Sequence, residues 1–74
     1  MALISNIKNK SVQPHRKHQE VEATYDIISS DGETFLQITT YGSSSREYPG
    51  KASQVIQFDK QSIEQLKRII QVHF

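Results

Sequence analysis

The chain of 74 residues has no cysteine, only two prolines and three glycines, and no long apolar run. The absence of cysteine excludes disulfides, thiolate zinc sites and a cysteine nucleophile. The first apolar residues, Ala2–Ile4, are followed at once by Ser5 and Asn6, so we expect no signal peptide and no membrane span, and we predict a cytoplasmic protein. A single domain of this size buries a modest core, so we also expect a homodimer or another oligomer to contribute stability.

Patterns typical of enzymes and metal sites are also missing. The three glycines fall in three separate predicted turns, so no glycine-rich loop is available to hold a phosphate. His15 and His18 form an H-x-x-H pair without cysteine, which is a weak indication of a metal site. Glu22 and Asp26 lie on one exposed strand face, whereas a catalytic carboxylate needs a pocket. We therefore predict no enzymatic activity, no metal and no cofactor.

The net charge of +1 conceals an uneven distribution of charge. Residues 1–19 carry four basic side chains and no acid, whereas residues 20–74 carry five basic and eight acidic side chains. We interpret residues 1–19 as a basic N-terminal arm that can add a short edge strand, and residues 20–74 as a single domain. The arm, including Arg16 and Lys17, either contacts phosphates or lies as a solvated tail on the acidic body.

The clearest predicted element is a hairpin centred on Asp31-Gly32. This pair lies between runs rich in β-branched and aromatic residues, a pattern that predicts a type I′ turn with Ser30 opposite Glu33. Because side chains alternate along a strand, the register divides the hairpin into a more apolar and a more polar face. The apolar face carries Tyr25, Ile27, Leu36 and Ile38, and the polar face carries Thr24, Asp26, Phe35, Gln37, Thr39 and Tyr41.

A second hairpin is predicted further along the chain. Arg46–Tyr48 can form a short strand, and Pro49-Gly50 suits the central positions of a type II turn. Lys51–Phe58 is then the return strand, with Ile56 and Phe58 directed to the core.

Asp59 predicts the start of an amphipathic helix that runs to the last residue. Its carboxylate can accept a hydrogen bond from a free backbone N–H of the first turn. Beyond it, apolar residues recur at helical spacing and form one stripe, which we expect to pack on the apolar sheet face and partly to form a dimer contact. The stripe consists of Ile63, Leu66, Ile69, Ile70 and Phe74. The predicted fold is α+β: an antiparallel sheet of three to four strands, built from two hairpins, with one C-terminal helix on one face.

The sheet face opposite the helix is the candidate binding surface. Aromatic residues interleaved with amide and basic side chains hold single-stranded nucleic acid by stacking on bases and pairing with phosphates. The candidate contacts are Phe35, Tyr41, Arg46, Tyr48 and Lys51, with Arg16 and Lys17 of the arm. The same aromatics can instead be packing partners across strands or part of a homodimer surface. We expect single-stranded DNA or RNA as the partner or, alternatively, a protein that docks by strand addition.

Two segments, FLQITTY (Phe35–Tyr41) and PGKASQVIQFDKQSIEQLKRII (Pro49–Ile70), resemble the positive cofactor four type of transcriptional coactivator and its small bacterial relatives. The resemblance covers about two-thirds of the chain. It implies a dimer joined through the helices and a groove of curved strands that holds single-stranded DNA or RNA. Tyr41 and Lys51 match family positions by alignment of these segments.

The chain also departs from that family. Gly42 stands where the family has a tryptophan, and Thr39 stands where it has an arginine. The chain similarly resembles a family of short uncharacterised bacterial proteins, a likeness that implies no activity.

Overall fold

A computed structural model describes residues 1–10, 16–42 and 52–74 of the chain. The elements follow in the order β1 (Ala2–Ile4), β2 (Ala23–Ser30), β3 (Glu33–Tyr41), β4 (Ala52–Phe58) and α1 (Lys60–His73). The strands form one sheet in the order β1-β4-β3-β2. The predicted α+β class, a sheet followed by one C-terminal helix, is therefore confirmed.

The hairpin of β2 and β3 has the predicted register. Ser30 pairs with Glu33 across the turn, and the pairing continues without a slip to the start of β2. Asp31 and Gly32 both have positive φ angles, 51° and 78°, as the two central residues of a type I′ turn require. The backbone twist of such a turn matches the right-handed twist of the flanking strands. The register that the turn sets decides which side chains share a face.

The sheet is mixed rather than antiparallel throughout. β4 pairs antiparallel with β3, whereas β1 pairs parallel with β4, with Ile4 opposite Phe58. The prediction of an all-antiparallel sheet is wrong for β1, because the whole β2–β3 hairpin separates β1 from β4 and no tight turn sets their relative direction. The predicted strand Arg46–Tyr48 and the Pro49-Gly50 turn lie outside the described residues.

The start of α1 has the predicted cap. The Asp59 carboxylate accepts the backbone N–H of Ser62 at 2.9 Å, and the Ser62 hydroxyl donates to the Asp59 carbonyl oxygen at 3.1 Å. Ser62 is fully buried at this junction of sheet and helix. The cap satisfies N–H groups that no helical carbonyl can reach, and it fixes the direction in which α1 leaves β4.

α1 packs on the sheet face that carries Leu36 and covers only part of it. The helix contacts β3 and β4, and Ile63 and Leu66 are half-buried. The exposed fraction then rises along the helix, to 49% at Ile70 and 97% at Phe74. The stripe therefore packs on the sheet only in part, because only the first turns of α1 lie against β3 and β4. The dimer contact expected for the rest of the stripe stays a prediction.

No hydrophobic residue in the described ranges is buried. Tyr25 and Ile27 share the helix side of the sheet but remain 71% and 63% exposed. These side chains therefore leave apolar surface uncovered on the helix side of the sheet.

Candidate nucleic-acid interface

The face of the sheet opposite α1, which we term the open sheet face, is built around the central strand β3. Alternation along β3 puts two aromatic rings, an amide and a hydroxyl in one column on this face. Thr39, at the centre, is 8% exposed, and its neighbours in the column are half-buried. The register adds side chains from β2 and β4 on either side. The face consists of Thr24, Asp26 and Ile28, then Phe35, Gln37, Thr39 and Tyr41, then Val55 and Gln57.

Two hydrogen bonds across strands orient the polar groups of this face. Gln57 Nε2 donates to Gln37 Oε1 at 3.0 Å, and the hydroxyls of Thr24 and Tyr41 are 3.0 Å apart. Each amide has two donor hydrogens and an acceptor oxygen, so a single bond between two glutamines uses only part of their capacity. The face can therefore offer oriented donors and acceptors to the edges of a bound base.

The two aromatic rings of the open sheet face are far apart. Phe35 and Tyr41 are six residues apart on one strand, and at about 3.3 Å per residue this separates them by about 20 Å. Adjacent stacked bases are about 3.4 Å apart, so the two rings cannot bind neighbouring bases. A strand lying along β3 would instead meet one ring near each end, with Gln37 and Thr39 between them.

The charge on this face does not favour an anion. Asp26 is the only charged residue among the face residues named above. Of the predicted contacts, Arg46, Tyr48 and Lys51 lie outside the described residues. Lys17 is exposed and its Nζ lies 3.4 Å from a carboxylate oxygen of Glu20, a surface ion pair of small energetic value.

Basic side chains gather instead on the helix side, in a place that the sequence analysis missed. Residues 7–10 run beside the C-terminal half of α1 and enclose with it a cleft of about 630 Å³, which we term the arm cleft. Lys8, Lys10, Arg68 and His73 line it. The excess of basic residues in the arm was the one sequence feature that pointed to this cluster. Nothing in the order of residues indicated that part of the arm lies against the helix.

Gln65 joins this part of the arm to α1. Its Oε1 accepts the backbone N–H of Ile7 at 2.8 Å, and its Nε2 donates to Oδ1 of Asn6 at 2.8 Å. One side-chain amide thus binds both the backbone and a side chain of the arm, which holds the arm against the helix flank.

The opposite flank of α1 borders a second cleft, which we term the β2 groove. Ile27 and Leu36 of the sheet and Ile63 and Lys67 of the helix line it, with a volume of about 670 Å³. Lys67 is paired with Glu64 at 3.5 Å. Three acidic and two basic side chains line the groove in all, so this flank combines apolar side chains with a small excess of acid.

Across residues 1–10, 16–42 and 52–74, no three His, Cys, Asp or Glu side chains are grouped so that they could hold a metal ion. No helix in these same ranges is long and apolar enough to cross a membrane.

Comparison of the chain with protein-family models, with curated proteins and with solved structures found no match. The resemblance to the positive cofactor four type therefore stays a prediction.

Proposed function

We propose that the protein is a cytoplasmic homodimer that binds single-stranded DNA or RNA on the open sheet face, without enzymatic activity, metal or cofactor. The column of Phe35, Gln37, Thr39 and Tyr41 is the observation that supports this proposal best. Aromatic rings stack on any base, and the amide and hydroxyl groups between them can bond base edges. Because such binding needs unstacked bases, the expected ligand is single-stranded.

The 20 Å between the rings predicts the length of strand that is bound. A stacked strand rises about 3.4 Å per nucleotide and an unstacked strand is more extended, so at most about seven nucleotides reach from Phe35 to Tyr41. Each ring contributes about 1–3 kcal/mol by stacking. Oligonucleotides of two or three nucleotides are therefore expected to engage a single ring and to bind weakly.

The phosphate contacts in this proposal come from the basic residues predicted beside the face. These are Arg46 and Lys51, with Arg16 and Lys17 of the arm, and Tyr48 is a further ring for stacking. Lys17 would exchange its exposed partner Glu20 for a phosphate, at a cost of at most about 1 kcal/mol. These cations would also have to offset the repulsion between Asp26 and the strand.

The homodimer is proposed from the exposed apolar surface on the helix side. Tyr25, Ile27, Ile70 and Phe74 are 71%, 63%, 49% and 97% exposed there, and a second copy would remove this apolar surface from water. A second copy suits this surface because a two-fold axis can bring the helix of each chain onto the β2 side of the other. The mass in solution tests it: a monomer at micromolar concentration would contradict the dimer.

Binding of labelled dT12 to the full-length protein, measured by fluorescence anisotropy, tests the nucleic-acid proposal. Phe35→Ala and Tyr41→Ala are each expected to weaken binding by about 1–3 kcal/mol, roughly 5- to 150-fold in Kd. Tyr41→Phe is the matched control, because it keeps the ring and removes only the hydroxyl bonded to Thr24. Thermal melting checks that each variant is folded.

Two results would overturn the nucleic-acid proposal. One is the absence of dT12 binding to the wild-type protein at 50 mM salt. The other is binding that Phe35→Ala and Tyr41→Ala leave unchanged while both variants remain folded.

A second candidate function is a protein-interaction module that docks a partner strand on β2. β2 is an edge strand of eight residues in the described sheet, and such a long edge is open to strand addition. The outward-facing amides of β2 would then become protected from hydrogen exchange when the partner binds. Rapid exchange of these amides in cell lysate depleted of nucleic acid would contradict this function.

A further inference from the structure

The arm cleft concentrates positive charge more than any other described surface. Lys8 and Lys10 come from the arm and Arg68 from α1, and His73 lies at the end of the helix. No acidic residue is among the described residues that line the cleft. Clustered like charges repel one another and create a local positive potential, which an anion would relieve.

The cations of the cleft differ from others in the described part of the chain. Lys17 and Lys67 each form an ion pair with a nearby glutamate. The described ion pairs include none of the three cleft cations, Lys8, Lys10 and Arg68. Their donors are therefore available to a ligand without breaking an existing ion pair.

The cleft also has an apolar part. Ile7 of the arm and Ile69 and Val72 of the helix line it beside the cations. Val72 is 72% exposed, although it is aliphatic. A volume of about 630 Å³ lies within the range of ~300–1,000 Å³ typical of small-molecule sites. A ligand that combines a phosphate with a flat, weakly polar body would match both parts of this surface.

The cleft is held in place by the fold. β1 pairs with β4, and Gln65 then bonds Asn6 and Ile7 at 2.8 Å each. The lysines follow directly after this attachment, so their backbone is positioned beside α1 before any ligand arrives. A site built in advance loses less conformational entropy on binding.

We propose that the arm cleft binds a nucleotide unit of a nucleic-acid strand, separately from the open sheet face. The phosphate meets Lys8, Lys10 and Arg68, and the base lies on the apolar part of the cleft. This inference rests on the proposed function only for the choice of nucleic acid as the ligand. The cleft and the open sheet face lie on opposite sides of the sheet, so variants of each can be tested independently.

An NMR titration of the full-length protein with AMP tests the site directly. The amide and methyl signals of Ile7, Ile69 and Val72 are expected to shift, with smaller shifts for inorganic phosphate, which lacks a base. The triple variant Lys8→Ala, Lys10→Ala, Arg68→Ala should lose these shifts. The triple variant Lys60→Ala, Lys67→Ala, Gln71→Glu lowers the net charge by the same three units outside the cleft and should keep them.

The salt dependence of dT12 binding gives a second, quantitative measurement. For single strands, log K falls with log salt with a slope of about −0.7 per neutralised phosphate. Three cleft cations then account for a loss of roughly 20-fold in affinity between 50 and 200 mM salt. The cleft triple variant should lose this share of the salt dependence, and the control triple variant should retain it.

Each outcome decides the inference. Absent AMP shifts, or shifts equal in both triple variants, would overturn the site. Equal affinity for AMP, inorganic phosphate and phosphatidylglycerol vesicles would overturn the nucleotide as its ligand. If Phe35→Ala and Tyr41→Ala leave dT12 binding intact but the cleft triple variant weakens it, the proposed role of the open sheet face fails and the cleft site stands.

Discussion

The two flanks of α1 differ in what lies against them. On one flank, residues 6–10 lie against the helix, and Gln65 bonds them through its amide. On the other flank, Ile27 remains exposed beside the β2 groove, and Ile70 is exposed further along the helix. The first flank is basic and bound to the chain's own arm, whereas the second is apolar and unfilled.

This difference follows from the kind of group that each flank presents. A glutamine amide can be satisfied by a short polar segment, and the arm supplies a backbone N–H and an asparagine side chain at the right distance. Exposed isoleucine and phenylalanine need a broad apolar area to be removed from water. In the described chain that area is missing, so we expect a second copy on the apolar flank and a charged ligand on the basic one.

The largest expected effect is on the apolar flank. Ile70→Asp places a carboxylate in the proposed dimer contact, where an unpaired buried charge costs about 3–5 kcal/mol. The dimer should dissociate, and the mass measured by analytical ultracentrifugation should fall to the 8.5 kDa of one chain.

Val72→Asp is the control for the apolar flank, because Val72 lies on the arm side of the same helix and is likewise exposed. Its dimer should persist. Equal dissociation by both variants would remove the distinction between the flanks.

A smaller effect, on the stability of the fold, is expected at the Asp59 cap where α1 begins. Asp59→Ala removes the acceptor for the Ser62 N–H and should cost about 1 kcal/mol. For a domain of this size that lowers the melting temperature by about 4–8 °C. Asp59→Asn should melt close to wild type, since asparagine caps equally well. A wild-type melting temperature for Asp59→Ala would show that the cap does not hold α1 on the sheet.

The smallest effect is expected on the basic flank. Gln65→Ala removes both hydrogen bonds to the arm. Because these groups are partly exposed, the free energy of unfolding should fall by about 0.5–1 kcal/mol. The amide of Ile7 should exchange faster, and dT12 affinity should fall at an unchanged salt slope, because no charge is lost. Gln71→Ala, at an exposed position of the same helix, should change neither the exchange rate of the Ile7 amide nor the dT12 affinity. Loss of the dimer in Gln65→Ala would contradict the independence of the two flanks.

Local signals in the sequence predicted the hairpin and the helix correctly. The Asp31-Gly32 turn, the register that it sets and the Asp59 cap each depend on residues within a few positions of one another. Such features involve φ angles and hydrogen bonds that neighbouring residues decide by themselves. The same register predicted Phe35 and Tyr41 on one sheet face, and the spacing of about 20 Å between them follows from strand geometry.

Only the tertiary structure decided what lies on each side of α1. The contact between Ile7 and Gln65 joins residues 58 positions apart, and no periodicity relates them. The parallel direction of β1 was likewise beyond local pattern, because the whole β2–β3 hairpin separates β1 from β4. The partial cover of the sheet depends on how α1 packs on β3 and β4. The limit of prediction from sequence is shown by the helix stripe, which consists of Ile63, Leu66, Ile69, Ile70 and Phe74. Sequence defined which residues are apolar and aligned, but packing decided that the first two are half-buried while the last three stay exposed.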